Sequence, residues 1–137
     1  MGVLIDTPVF VTLERRGWPL NDLLVTFPSG DFVGLAAITA SELLAGLHLA
    51  DTDARRLRRE AFLGPILDGL FVLAFDLECA RKHARVSADL RKKGQRIGPH
   101  DLLIAATALT HGHAVLTENV REFERVSGLD VRRPNWS

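Results

Sequence analysis

The chain has a single cysteine, no long apolar run and no excess of either charge. Because Cys79 is alone, an intrachain disulfide and a cysteine-based zinc cluster are both excluded, and the lone thiol fits a reducing cytoplasm. No apolar stretch reaches the length that spans a membrane, and the first residues, "MGVLID", are typical of a strand rather than of a secretory leader. We therefore expect a cytoplasmic protein with no membrane association.

The charge balance also limits the function. Seventeen basic residues against seventeen acidic ones give a net charge of zero, whereas a dedicated non-specific DNA-binding domain is usually basic. A nucleic-acid substrate stays open, because the two signs can be segregated on the surface. With 137 residues, 47% of them hydrophobic, and no repeat or low-complexity segment, the composition indicates one globular domain over residues 1–137.

Short apolar segments alternate with helix-like segments along the chain. Strands are predicted at 2–6, 32–38, 70–75, 114–118 and 129–131. Helices are predicted at 8–16, 20–27, 39–50, 52–63, 76–94 and 99–112, the fourth ending before Gly64-Pro65 and the last framed by Pro99 and Gly112. This alternation predicts an α/β protein, a three-layer α/β/α sandwich with a central, mainly parallel sheet of four to five strands.

Three carboxylates fall where the predicted strands and helices meet. Asp6 ends the first strand, Glu42 lies in the first turn of the helix after the second, and Asp101 lies in the first turn of the helix before the fourth. Because open parallel sheets bind ligands at the carboxyl ends of their strands, we expect all three on one rim. Their repulsion favours a neutralising cation, and Mg²⁺ or Mn²⁺ prefers oxygen ligands. The pattern predicts a metal-dependent phosphodiesterase site.

Each acid taken singly also fits a helix cap. Asp6 or Thr7 would cap a helix that starts at Pro8, the segment 39–42 matches a capping box, and Asp101 would favour the positive end of its helix dipole. Only the predicted convergence of the three acids on one rim favours the metal site over these local explanations.

Three segments are more specific than a general α/β pattern: "LIDTPVF", "AAITASELLAGL" and "LRKKGQRIGPHDLLIAATALTHGHAVLTENVREFERVSGL". They resemble, nearly from end to end, PIN-domain ribonucleases of the VapC type, which are toxins of type II toxin–antitoxin pairs, although the family more often has Asn where Pro8 stands. The resemblance implies cleavage of an RNA substrate by metal-activated water, leaving a 5′-phosphate and a 3′-hydroxyl. It implies Mg²⁺, with Mn²⁺ as a possible substitute, held by the catalytic acids Asp6, Glu42 and Asp101.

Asn119 departs from the family pattern, since members often carry a fourth acid just after the last core strand. The number of metal ions, one or two, therefore stays open. Glu122 is the preferred substitute for the missing charge, with Asn119 as a weak ligand, and Glu118 is expected to point away if the strand alternation continues. Thr7 and Thr117 are candidates for orienting the carboxylates or contacting phosphate, or else they bond locally at the strand ends.

The basic residues and histidines divide by position. Lys92, Lys93 and Arg96 come just before the acidic rim and are expected to hold RNA phosphates, whereas the arginines of 55–59 are expected on a solvated helix face. His100 is expected to face away from the acids, and its role stays open. The histidines assigned structural roles are His83, His111 and His113.

The resemblance also implies partners: a homodimer, and a cognate antitoxin whose C-terminal segment covers the site. A larger toxin–antitoxin assembly stays open. The helices of 8–27 and 39–63 are the expected antitoxin groove, with an antitoxin cation in the acidic pocket. One alternative is a receiver-like signalling domain, which would need clustered acids after the first strand and a lysine after the last. Another is a catalytically silent PIN-like module that binds RNA or protein, which only Asn119 favours.

Overall fold

A computed structural model describes residues 2–136, so Met1 and Ser137, the two ends of the predicted domain, lie outside the described residues. Five strands form one sheet: β1 (Gly2–Ile5), β2 (Phe32–Ala36), β3 (Phe71–Leu73), β4 (Ala114–Leu116) and β5 (Val131–Arg132). Their order is β3-β2-β1-β4-β5, and every neighbouring pair is parallel. The predicted α/β/α sandwich around a mainly parallel sheet of four to five strands is confirmed.

Seven helices surround this sheet in the described part of the chain. They are α1 (Thr7–Arg16), α2 (Leu20–Leu24), α3 (Ala37–His48), α4 (Asp53–Gly69), α5 (Leu77–Lys92), α6 (Pro99–His111) and α7 (Val120–Phe123). Of these, α7 is absent from the sequence prediction, because four residues are too few to show a helical period. Within residues 2–136, no helix is both long and apolar enough to cross a membrane.

The strands alternate their side chains between two hydrophobic cores, which explains why they read as continuous apolar runs. Val3 and Ile5 of β1 lie in the core that α1, α2 and α4 cover, together with Leu43 of α3. Leu4, between them, lies in the opposite core against α5, α6 and α7. Both faces of the central strand are therefore buried.

Several helix boundaries differ from the prediction: α2 ends at Leu24 rather than at residue 27, and larger consequences follow from the bounds of α4 and α3. Helix α4 continues through Gly64 and Pro65 to Gly69 rather than ending at residue 63. Proline removes one backbone hydrogen bond, but Leu63 and Ile66 on either side are buried in the core, and this packing outweighs the local signal. Helix α3 begins at Ala37, two residues early, with no side-chain cap.

The earlier start of α3 changes the position of Glu42. Counted from Ala37, this residue lies in the second turn, so the prediction of a first-turn carboxylate was wrong. The capping-box explanation for Thr39 and Glu42 fails for the same reason, because the helix has already begun where the cap would have to be. Helix α6, by contrast, has the predicted frame. Pro99 is in the first turn, and Gly112 ends the helix in the left-handed conformation, with a φ of 68°.

The order of the strands places the candidate site. The connections from β1 run to β2 on one side, whereas β4 lies on the other side of β1. Such a reversal opens a crevice at the carboxyl ends of the two central strands, where α/β sheets bind ligands. Asp6 follows β1 directly, and Thr117 follows β4 directly.

Candidate active site at the strand ends

Asp6 is the most buried acid of the site, with a relative exposure of 1%. Its Oδ1 accepts a hydrogen bond from the Thr7 backbone N–H at 2.9 Å, and its Oδ2 accepts one from the Thr117 hydroxyl at 2.7 Å. Burial raises the pKa of Asp6, the two hydrogen bonds oppose the rise, and the charges of Glu42 and Glu122 add to it. Asp6 does cap α1 in part, yet the cap does not offset the cost of burying its charge.

Asp101 lies in the first turn of α6 and faces the same rim. Burial raises its pKa to about 6, and the charges of Asp6, Glu122 and Glu42 contribute in the same direction. The Asn119 side-chain amide, with Nδ2 3.4 Å from Asp101 Oδ2, has a smaller opposite effect. A carboxylate placed only to complement a helix dipole would have a lowered pKa, so the helix terminus does not account for Asp101.

Glu42 reaches the rim from the second turn of α3. The Thr7 hydroxyl donates to Glu42 Oε1 at 2.7 Å and lies 3.1 Å from the Thr39 hydroxyl. Its other oxygen, Oε2, lies 3.2 Å from His100 Nδ1. The expectation that His100 faces away from the acids is therefore wrong. The side chains of a first turn spread around the end of the helix axis, and the end of α6 itself points at the rim.

Asn119 and Glu122 close the rim on the β4 side. Asn119 Nδ2 lies 2.5 Å from Glu122 Oε2, so this amide joins Glu122 to Asp101. Glu122 Oε1 accepts the backbone N–H of Gly98, at the start of α6. Glu122 is thus near enough for its charge to raise the pKa of both Asp6 and Asp101, and its role as a ligand stays a prediction.

Glu118 also lines the site, contrary to the expectation from strand alternation. Strand β4 ends at Leu116, so the alternation no longer determines the direction of residue 118. Glu118 Oε1 accepts a hydrogen bond from the buried Thr12 hydroxyl of α1. Together with Asp6, Glu42 and Asp101, it borders a cavity of about 400 Å³. Glu118 follows the predicted fourth strand and was expected to point away, whereas no sequence signal marks Thr12.

The donor set fits a hard divalent cation in its chemistry, because the groups that converge are carboxylate oxygens with hydroxyl and amide neighbours. Among residues 2–136, however, no three His, Cys, Asp or Glu side chains are grouped as a ready-made metal site. Each carboxylate is instead engaged by a neighbouring donor, namely Thr117, Thr7, His100 or Asn119. These donors hold the carboxylates in place, and each oxygen that accepts one hydrogen bond keeps a second lone pair for a cation.

The basic residues before α6 differ in whether their charges are already paired within the protein. Lys93 Nζ lies 3.0 Å from Asp89 Oδ2 and 2.7 Å from the Ser127 hydroxyl, so its charge is already paired. Arg96 borders a cavity of about 590 Å³ between α5 and α6. Lys92 and Arg96 are exposed and have no ion pair within the described chain. Of the three residues predicted to contact phosphate, Lys92 and Arg96 therefore have an unpaired charge to offer, whereas Lys93 does not.

The histidines outside the rim pack against other rings. His113 stacks on Phe32 with centroids 4.4 Å apart and lies 6.0 Å from His111, and His83 contacts Phe75 edge-on. Gly2 lies directly beneath His113, and a Cβ at Gly2 would come within 2.3 Å of the imidazole. The contact of His113 with Phe32 lies at the starts of β4 and β2, the opposite end of these strands from the acids.

The comparisons with known proteins agree with the fold. A family model of the PIN domain matches residues 3–129. Ribonuclease VapC1 of Rickettsia felis is 36% identical over 134 residues, covering 96% of this chain and 95% of the relative. The tRNA(fMet)-specific endonuclease VapC of Shigella flexneri is 33% identical over 103 residues, covering 75% of this chain and 74% of that protein.

Solved structures show the same architecture. The DNA-bound VapBC of Salmonella typhimurium has a TM-score of 0.83 at 27% identity, covering 97% of this chain and 98% of the other. VapBC2 of Rickettsia felis, bound to a promoter DNA fragment, has a TM-score of 0.87 at 23% identity and covers 98% and 100%. The chain belongs to the PIN-domain family, and its curated full-length relatives place it among the VapC ribonucleases.

Proposed function

We propose that this protein is a Mg²⁺-dependent endoribonuclease and the toxin of a toxin–antitoxin pair. The observation that carries the proposal is the convergence of Asp6, Glu42 and Asp101 at the strand ends, where burial and mutual repulsion raise the pKa of Asp6 and Asp101. A protein retains such an unfavourable cluster where a bound ligand neutralises it. The ribonuclease names of the relatives support the choice of RNA as the substrate.

The chain's own residues divide the work. When bound, Mg²⁺ would lower the pKa of a coordinated water, polarise the scissile phosphate and neutralise the charge on the leaving oxygen. Asp6 is a fixed ligand, because Thr117 and the Thr7 N–H hold its two oxygens. Asp101 is mounted on α6, whose buried core contacts keep its first turn in place. Glu42 is the third ligand, and Asn119 and Glu122 complete the rim.

The antitoxin would bind a groove that starts at the acids. The site cavity shares Thr7, Val11 and Glu42 with a smaller apolar cavity, and that one shares Arg59 and Phe62 with a third cavity of about 540 Å³. The third cavity is lined by Trp18, Glu14 and three arginines. Arg59 pairs with Glu14 and Arg55 with Asp51, so Arg58 is the arginine of this cavity without an ion pair among the described residues. A peptide with a basic residue at the acidic end, apolar residues in the middle and an acidic residue at the far end complements this groove.

Support for an antitoxin comes from the solved neighbours, which are VapBC complexes of Rickettsia felis, Haemophilus influenzae and Salmonella typhimurium. A homodimer is proposed as well. The edge strand β3 and the start of α5 expose apolar side chains, with Phe71 66% and Leu77 64% exposed. Apolar residues clustered on a sheet edge are typical of a surface that another chain covers.

The direct test is RNA cleavage by the purified protein with Mg²⁺, with excess EDTA, and in the Asp6→Ala and Asp101→Asn variants. We expect cleavage only by the unaltered protein with Mg²⁺, and folded variants by circular dichroism. Mapping of the new 5′ ends would identify the RNA and the cleavage sequence. Equal cleavage by a folded Asp6→Ala variant would refute the metal-site assignment. RNA binding without cleavage would favour the silent PIN-like module instead.

A further inference from the structure

Glu42 is held at both of its carboxylate oxygens by side chains of two other helices. Thr7 of α1 donates to Oε1 at 2.7 Å, and Nδ1 of His100 of α6 lies 3.2 Å from Oε2. Three helices that approach the rim from different directions therefore meet at one side chain. Nothing in the sequence motifs marks His100 for this contact.

Glu42 needs such support more than Asp6 does. Asp6 is buried and short, and a backbone N–H holds it in addition to the Thr117 hydroxyl. Glu42 has one more rotatable bond, starts from the second turn of α3, and its side chain is 34% exposed. A longer and more exposed carboxylate occupies more rotamers, so fewer of its conformations present the oxygens to the rim.

The contact does not require a charged imidazole. In one of its two neutral tautomers the Nδ1 nitrogen carries the proton, which it can donate to Glu42 Oε2. His100 is also adjacent to Asp101, at the start of α6. The first turn of α6 thus carries Asp101 in its backbone and also holds Glu42 through the imidazole of His100.

We propose that His100 is a positioning residue, which holds Glu42 in the rotamer that binds the metal ion. This proposal rests on the proposed function, because it assigns Glu42 as a ligand. The competing explanation is an exposed contact of no consequence, since the His100 side chain is 53% exposed and exposed ion pairs often contribute little. The two explanations differ in what they predict for metal affinity.

The test uses Mn²⁺ as the probe, by calorimetric titration of the full-length protein without RNA. His100→Ala should weaken Mn²⁺ binding about tenfold, the lower end of the effect of removing a residue that orients a ligand. His100→Asn should restore affinity to within about twofold, because the Asn Nδ2 occupies nearly the place of Nδ1 and also donates. His48→Ala, an exposed histidine on α3 outside the rim, is the matched control and should bind as the unaltered protein does.

Repeating His100→Ala in a Glu42→Gln variant shows whether His100 acts by positioning the Glu42 carboxylate or in some other way. There, His100→Ala should cause no further loss of Mn²⁺ affinity, since the carboxylate it positions is gone. In RNA cleavage with Mg²⁺, His100→Ala should lower kcat at saturating metal by less than at limiting metal, with KM for RNA unchanged. Thermal unfolding of each variant without metal checks that the fold is retained.

Several outcomes overturn the proposal. Equal Mn²⁺ affinity of folded His100→Ala and the unaltered protein does so, as does a His100→Asn variant that binds as weakly as His100→Ala. The proposal also fails if His100→Ala weakens Mn²⁺ binding in the Glu42→Gln background as much as it does in the unaltered protein. If the unaltered protein binds Mn²⁺ but cleaves no RNA, the proposed ribonuclease function fails while the role of His100 in metal binding stands. If it neither binds Mn²⁺ nor cleaves RNA, both fail.

Discussion

The hydroxyl of Thr117 donates a hydrogen bond to Asp6 Oδ2 at 2.7 Å and thereby joins the ends of β4 and β1 inside the protein. Both residues are buried, with relative exposures of 0% and 1%. The same hydroxyl accepts the backbone N–H of Asn119 at 2.9 Å. One side chain therefore fixes the deepest acid and also the turn that carries the residues closing the rim.

Thr117→Val should destabilise the protein at neutral pH by about 1–3 kcal/mol, because it leaves a buried carboxylate with one partner fewer. The loss should shrink toward about pH 4, where protonation removes the charge that the hydroxyl stabilises. Urea unfolding with EDTA at several pH values measures both. Thr107→Val is the matched control, since Thr107 is equally buried but its hydroxyl bonds only to the Leu103 carbonyl. Equal losses in the two variants would contradict the special role of Thr117.

The raised pKa of Asp101 makes a prediction about stability without metal. Its folded-state pKa of about 6 lies above the ordinary 3.8, so the folded protein holds the proton more tightly than the unfolded chain does. The free energy of unfolding should therefore fall as the pH rises from about 4 to about 6 and stay low above that range. Asp101→Asn should reduce this fall, leaving the part that the raised pKa of Asp6 causes, and should be more stable at pH 8 by about 1 kcal/mol, after allowance for solvent screening.

Chemical unfolding in EDTA across this pH range compares Asp101→Asn with the unaltered protein. Addition of Mg²⁺ should then stabilise the unaltered protein far more than the variant, because binding to the folded state alone shifts the equilibrium. A variant with the same pH dependence as the unaltered protein would contradict the assigned cause.

Lys92 and Arg96, rather than Lys93, should determine the salt dependence of RNA binding. Removing both by substitution to Ala should reduce the slope of log affinity against log salt by about 1.4, since each phosphate contact on a single strand contributes about 0.7. Lys93→Ala should change the slope little, because its ammonium is already paired with Asp89 and Ser127. The measurement uses RNA binding by the Asp101→Asn variant at several salt concentrations, and equal slopes for all variants would count against the assignment.

Arg58→Glu should weaken antitoxin binding at least about tenfold, since it reverses the charge at the basic end of the groove. Ribonuclease activity should be retained, because Arg58 lines a cavity that Asp6, Glu42 and Asp101 do not border. Arg56→Glu has the same charge change on the same helix but does not line that cavity. Binding of the co-expressed antitoxin by the three proteins measures the difference, and an equal loss for Arg56→Glu would show a general charge effect.

For His113 we expect the opposite pH dependence of the free energy of unfolding. Its Nδ1 is buried without a hydrogen-bond partner among residues 2–136, and burial, followed by the nearby His111, lowers the pKa of His113. Stability linked to this group should be complete above the unfolded-state value of about 6.5 and should decrease as the pH falls through it. His113→Phe keeps the stacking on Phe32 and should flatten the dependence between about pH 7 and pH 5. His48→Phe serves as the control, and an unchanged slope in His113→Phe would exclude His113 as the cause.

The sequence predicts most where the signal is local. The apolar strands, the position of Asp6 at the carboxyl end of β1, and the frame of α6 between Pro99 and Gly112 all follow from residue type and spacing, and the structure agrees. The fold follows from the same signals, because strands that alternate with helices and are covered on both faces have few arrangements open to them.

What the sequence leaves undetermined depends on the phase and packing of whole helices. Glu42 reaches the rim although α3 starts two residues earlier than its local signals indicate, since the direction of every side chain on a helix follows from where the helix begins and how it packs. The buried Leu63 and Ile66 carry α4 through Pro65, because core contacts outweigh a proline signal.

By itself, then, the sequence determined the α/β/α fold and the convergence of three acids on one rim, since both follow from the order of strands and helices. Only the tertiary structure decided that His100 contacts Glu42, that Asn119 joins Asp101 to Glu122, and that Glu118 also borders the cavity. These contacts join residues far apart in the chain, and their partners depend on side-chain directions that residue spacing does not fix.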